Sequence, residues 1–162
     1  MDVAAIKDGW FGDASRMYLV GTPSVLAQPL VCTTYEAMRA GILQVRPGST
    51  LGDVGHAIRS VAHKEGFSVV RGYCGYGIGK VYHDAPQVPH YGRSGPGLRL
   101  EPGMVFTIEP MINAGKRETQ KMKVGWTVVT RERAVSAQRE PMAAVTDIGF
   151  EVLTPWPDGY GN

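Results

Sequence analysis

Glu109 stands in the run Phe106-Thr107-Ile108-Glu109-Pro110-Met111, and a second carboxylate, Glu140, follows thirty-one residues later in Ser136-Ala137-Gln138-Arg139-Glu140. Near the start of the chain Asp2 and Asp13 lie eleven residues apart, on either side of Lys7-Asp8-Gly9. Singly, Asp13 also fits a turn and Glu140 a surface charge. Glu109 is harder to place outside, because on an aliphatic strand it must face core or cleft. Four carboxylates on separate strands in apolar surroundings cost too much to bury unless cations neutralise them. The chemistry these residues point to is a divalent metal site.

The elements that must carry them read as follows. Asp-Gly is a strong turn dipeptide, so residues 2–20 are predicted to form a hairpin. Apolar residues at helical spacing predict a helix over about 24–44, with Pro29 in its first turns and Val45-Arg46-Pro47-Gly48 as the stop. Ser49-Thr50-Leu51-Gly52-Asp53 reads as a capped entry to a second helix, ended by Gly66. Beyond Phe67 the pattern changes to short strands and glycine-rich loops. Met104–Met111 is predicted to be one strand, followed by a polar loop and by strands over 126–130 and 142–146. Asp147-Ile148-Gly149 closes a last hairpin. The glycines of Gly75-Tyr76-Gly77-Ile78-Gly79 read as permitting a tight strand turn. This order predicts an α+β domain over 1–154, with helices on one face of a mainly antiparallel sheet. A flexible tail is expected over 155–162.

Composition narrows the classes of function. A net charge of +2 with scattered basic residues argues against nucleic acid. No apolar run approaches a membrane span, and no signal peptide is expected, so the reading is cytoplasmic with no membrane partner. Cys32 and Cys74 lack a metal or redox spacing and are expected to be buried, reduced thiols. His56 and His63 read as surface histidines, and His90 as a weak candidate for facing a substrate.

The stretches Asp2-Val3 to Gly12-Asp13, Gly66 to Val70, Cys74-Gly75-Tyr76-Gly77-Ile78-Gly79, Pro86-Gln87-Val88, Glu101-Pro102-Gly103-Met104, Phe106 to Gly115 and Gly125-Trp126-Thr127 resemble type I methionine aminopeptidases. The resemblance runs from Asp2 to about Thr154. It implies part of the pita-bread fold, and a reaction in which N-terminal methionine is removed from peptides and nascent chains. It also implies two divalent metal ions (Co, Mn, Fe or Zn) held by Asp2, Asp13, Glu109 and Glu140 together with a histidine, whose position here carries Tyr76. His83 and Glu109 take the catalytic positions. Tyr82, His83, Tyr73 and Trp126 take substrate-binding ones.

Four departures from the family pattern stand out. Tyr76 replaces an imidazole with a phenol that must lose a proton of pKa ~10 to bind comparably. Pro141 follows Glu140 where a histidine is usual. Ala4 replaces a small hydroxyl residue, and roughly the first third of the family fold is absent. The expectation is therefore an aminopeptidase homologue of impaired activity, and its rival is a non-catalytic module of the same fold that binds proteins. An exposed sheet edge is expected to favour homodimers.

Overall fold

Asp8 and Gly9 hold φ angles of 52° and 81°, the left-handed pair that a two-residue hairpin turn requires. In the computed structural model, which describes residues 1–155, they join β1 (Asp2–Lys7) to β2 (Trp10–Ser15), with Asp2 opposite Ser15 and Lys7 opposite Trp10. The tail expected over 155–162 lies outside the described residues apart from Pro155.

Helix α1 covers Ala27–Ile42 and α2 covers Leu51–Lys64. Pro29 falls in the first turn of α1, where its missing N–H leaves no intrahelical bond unmade. Thr50 caps α2 by accepting the Asp53 N–H at 3.2 Å, while the Asp53 carboxylate accepts the Thr50 N–H at 2.9 Å, a reciprocal box built on aspartate. At its far end Gly66, at φ 78°, lets the Phe67 N–H reach the Ala62 carbonyl. Leu30, Ala37 and Met38 of α1 meet Val54, Ile58 and Ala62 of α2 in one core. Gly41 makes the approach possible, since a Cβ there would come within 2.7 Å of Ile58 Cγ1.

The remaining strands are β3 (Ser68–Val69), β4 (Gly75–Gly77), β5 (Asp84–Val88), β6 (Val105–Thr107), β7 (Met111–Asn113), β8 (Thr119–Lys121), β9 (Val128–Thr130), β10 (Ser136–Gln138), β11 (Met142–Val145) and β12 (Phe150–Val152). All pair antiparallel, in a three-stranded sheet β10-β7-β3, a five-stranded sheet β12-β11-β6-β4-β5, and the ribbons β1-β2 and β8-β9. The helices pack on the three-stranded sheet, α1 against β7 and β10 and α2 against β3.

The single strand expected over Met104–Met111 is therefore two strands in different sheets. Pro110 has no N–H to continue the ladder, and the chain leaves the five-stranded sheet at Thr107 and enters the three-stranded one at Met111. A neighbouring segment makes the same crossing in reverse, from β10 to β11, at Glu140-Pro141. Because β6 pairs with β11 and β7 with β10, the two crossings run side by side. Each is a Glu-Pro dipeptide. Neither glutamate lies inside a strand, contrary to the sequence reading.

Other expectations need correcting. The predicted polar loop after β7 contains β8. Cys32 is exposed and Cys74 half-buried rather than both buried, and His56 is half-buried while His63 is exposed. The glycines of Gly75-Tyr76-Gly77 form β4 itself and serve close contact rather than a turn. A Cβ on Gly75 would sit 2.2 Å from the Thr107 carbonyl oxygen, and one on Gly77 would sit 1.9 Å from that of Ala85. Gly75→Ala must push β4 away from β6, and its expected cost is about 1–3 kcal/mol, the range for overpacking. Urea unfolding measures it, and an unchanged midpoint would refute the contact.

Candidate metal centre

The crossings bring the acids together. Glu140 exchanges backbone hydrogen bonds with Ser15 of β2 at 3.1 Å in both directions. This fixes its side chain beside the hairpin. Asp13 is anchored from the other side, with its carbonyl accepting from the Thr154 hydroxyl and its N–H donating to Met142 Sδ. Asp2, Asp13 and Glu140 consequently each present a carboxylate oxygen within 4.8 Å of the others. Asp13 and Glu140 are 2% exposed, and among the described residues Asp13 Oδ1 and Glu140 Oε1 have no hydrogen-bond partner. Ala4 lies directly across from Asp13 and offers it only a methyl group.

Glu109 adjoins this group but is served differently. Its Oε1 accepts from the Thr107 hydroxyl at 2.9 Å and its Oε2 from the Gln138 amide at 3.2 Å. Its N–H donates to His90 Nε2 at 3.0 Å. His90 is thus a buried acceptor behind the site, not a group facing a substrate, and burial depresses its pKa to about 3. Sequence reasoning missed Thr107 and Gln138. Each stands two residues before a metal-site glutamate, the spacing that returns a side chain to the same side of an extended segment.

Tyr76, half-buried on β4, donates its hydroxyl to Asp13 Oδ2 at 2.5 Å, and Tyr82 donates to the same oxygen at 2.9 Å. Tyr82, expected at a substrate-binding position, thus has its hydroxyl turned to the acids. His83, exposed and at φ 58°, stacks on Tyr82 with ring centres 3.9 Å apart and meets Tyr76 edge-on at 4.2 Å. Tyr73 lines a separate cavity of about 570 Å³ that also includes Met111, Asn113 and Gln138. Trp126 stands 80% exposed in the turn joining β8 and β9.

Burial, and then the charges of Glu109, Asp13 and Asp2, push the Glu140 carboxyl up to about 9. Burial raises Glu109 to about 7, with Asp13 and Asp2 adding to it and the Thr107 hydrogen bond opposing. Asp2 is raised by burial and by Asp13. Burial and its bond to Asp13 raise the Tyr76 phenol well above its ordinary value. Burial, then Glu109, raises the Cys74 thiol, which leaves it a poor nucleophile. Asp2 is exposed, contrary to the sequence reading of four acids in apolar surroundings, but buried Asp13 and Glu140 beside it, each with an oxygen left without a partner among the described residues, have the donor chemistry of a divalent cation site. The residues present fit such an ion.

The profile of metallopeptidase family M24 matches residues 1–147, and the chain belongs to that family. It is 54% identical to methionine aminopeptidase A of Synechocystis sp. over 154 residues, a match covering 95% of this chain and 61% of that protein. The crystal structure of methionine aminopeptidase from Rickettsia prowazekii superposes with a TM-score of 0.91 at 54% identity, covering 93% of this chain and 61% of that one. That of Thermotoga maritima gives 0.92 at 38% identity, covering 96% and 62%. The chain thus spans about three-fifths of the length of these relatives. Among the described residues no helix is long and apolar enough to cross a membrane.

Proposed function

We propose that this chain is the metal-binding portion of a methionine aminopeptidase-type hydrolase, cytoplasmic, acting on the N-termini of peptides and nascent proteins with impaired activity. The observation that carries this reading is the convergence of Asp2, Asp13 and Glu140 with uncommitted buried oxygens. Asp2, Asp13 and Glu140, with Glu109 adjoining them on the fourth metal position, would hold divalent metal, which when bound supplies Lewis-acid polarisation of a carbonyl and a water of lowered pKa. Glu109, brought to about 7 by burial, is suited to take up and return a proton near neutrality. His83 is exposed and fixed by its stack on Tyr82, so its imidazole is available to steady a substrate carbonyl or amide. Tyr73, Tyr82 and Trp126 are assigned to substrate binding by position.

Thermal melting of chelator-treated protein with and without Mn²⁺ or Co²⁺ tests the reading. The expected result is a cooperative transition that moves upward with metal, because a ligand of the native state stabilises it by mass action. Hydrolysis of methionyl peptides is then expected to be slow and metal-dependent. A transition indifferent to metal would sink the proposal. A second reading, a non-catalytic module of the same fold, is favoured by one observation: the Tyr76 hydroxyl is committed to Asp13. Measurable metal-dependent peptidase activity excludes it.

The free edge of β1 adds a homodimer to the reading, supported by the exposure of Val3, Ile6 and Trp10 on the hairpin. Sedimentation at micromolar concentration is expected to show two copies, and a monomer removes this part.

A further inference from the structure

The hydrogen bonds of the site divide its acids unequally. Glu109 has both carboxylate oxygens occupied, by the Thr107 hydroxyl and the Gln138 amide. Asp13 has Oδ2 covered by two phenols, from Tyr76 and Tyr82. Among the described residues the fully buried carboxylate oxygens left without a partner are Asp13 Oδ1 and Glu140 Oε1, on residues 2% exposed. These two residues and Asp2 are the three that approach one another within 4.8 Å, and Glu109 is not among them. The protein thus satisfies both oxygens of Glu109 and one of Asp13, and leaves Asp13 Oδ1 and Glu140 Oε1 open to a ligand.

We propose that this chain holds one hard divalent cation, of the Mn²⁺ or Mg²⁺ kind, among Asp2, Asp13 and Glu140, with Tyr76 standing in for a second ion. The inference rests on the metallopeptidase reading and narrows it to one ion and one class of ion.

Ligand chemistry supplies the class. Asp2, Asp13 and Glu140 offer only oxygen, the donor that Mg²⁺ and Mn²⁺ favour. Imidazole nitrogen, which suits Zn²⁺ and Co²⁺, is not part of the converging group among the described residues, where Tyr76 rather than a histidine bonds Asp13 and His83 packs against the two phenol rings. The Tyr76 phenol directs its proton at Asp13, so it acts towards that carboxylate as a neutral donor where a cation would be a charged acceptor. A neutral donor leaves less positive charge among the acids than a second cation would, and the remaining excess negative charge draws in the single ion.

The test uses the full chain stripped with chelator and titrated with Mn²⁺, free ion being followed by its paramagnetic resonance signal. Competition with Mg²⁺, Co²⁺ and Zn²⁺ gives the selectivity. One Mn²⁺ per chain is expected. Tyr76→His is expected to bind two, and to gain affinity for Co²⁺ and Zn²⁺ over Mn²⁺ by ~10-fold or more, on the scale by which groups around a metal tune its affinity. Tyr76→Phe, which removes only the hydroxyl, is expected to keep one ion, and loss of that ion would show the phenol to be a ligand and overturn the assignment. Two ions in the unmodified chain, or unchanged stoichiometry and selectivity in Tyr76→His, would overturn this inference while leaving the metallopeptidase reading in place. No ion in the unmodified chain or in Tyr76→His would overturn both.

Discussion

With Glu140→Gln, the metal-free protein is expected to melt at a higher temperature than the unmodified chain at pH 8, the two converging near pH 5. The sign follows from linkage. The Glu140 carboxyl titrates at about 9 in the folded protein against an ordinary value of 4.5. A raised folded pKa contributes stability that is intact below the unfolded value and is lost as pH rises through the folded one. At pH 8 the unfolded chain is ionised at this residue while the folded chain must retain a proton. At ~1.4 kcal/mol per pKa unit this amounts to roughly 2–4 kcal/mol, allowing for relaxation around the group. Glutamine is isosteric with the protonated acid and carries no such cost. The same variant is expected to lose the upward shift on adding Mn²⁺, because a charged donor is gone. Melting curves from pH 5 to 9 in chelator check it. A variant that melts below the unmodified chain at pH 8 would show that Glu140 is not held in a charge-hostile setting.

His90→Ala is expected to cost about 3–5 kcal/mol, a large part of the 5–15 kcal/mol available to a domain. Two terms combine. Removing the imidazole strips the only acceptor from the buried Glu109 N–H, and an unsatisfied buried donor costs roughly 1–3 kcal/mol. The vacated space, at a residue only 1% exposed, adds a cavity term of about 2 kcal/mol, judged from large-to-small core replacements. Burial keeps His90 neutral down to about pH 3, so Nε2 remains an acceptor throughout the physiological range. Its depressed pKa gives stability that is present above about 6.5 and lost as pH falls towards 3, opposite in sense to Glu140. Denaturant unfolding at pH 7 measures the loss. A change below about 1 kcal/mol would mean that water or another group serves the Glu109 N–H.

Much of this was legible in the sequence for identifiable reasons. The Asp8-Gly9 turn, the Thr50–Asp53 cap and the Gly66 stop are local signals, each fixed by one or two residues, and the structure carries all three. The helical stripes of α1 and α2 were readable because the period of 3.6 repeats over several turns. What failed was non-local. Met104–Met111 reads as one strand because Val105, Phe106, Thr107 and Ile108 form a run of β-branched and aromatic residues, and only the partner of each half shows that it changes sheets. Pro110 was the available sign. The gathering of Asp2, Asp13 and Glu140 could be argued from cost and resemblance, but their convergence depends on the Ser15–Glu140 bridge, which has no local signature. His90 was misjudged because a histidine near a site looks outward by default, and its role is set by a backbone N–H nineteen residues on.

β1 is exposed along its whole length and, among the described residues, is paired with β2 alone, and a two-stranded ribbon is barely stable alone. Asp2, at the start of that strand, approaches Glu140 from near the opposite end of the described chain. A ligand joining them closes a loop that passes through both helices and nearly every strand. It is a staple of the kind a disulfide makes, except that a chelator removes it. Because closure entropy grows only slowly with loop length, so long a span is little harder to close than a short one. The outermost strand would thereby be tied to the crossing between the two larger sheets, and the ion that would serve the chemistry would also hold that strand in place.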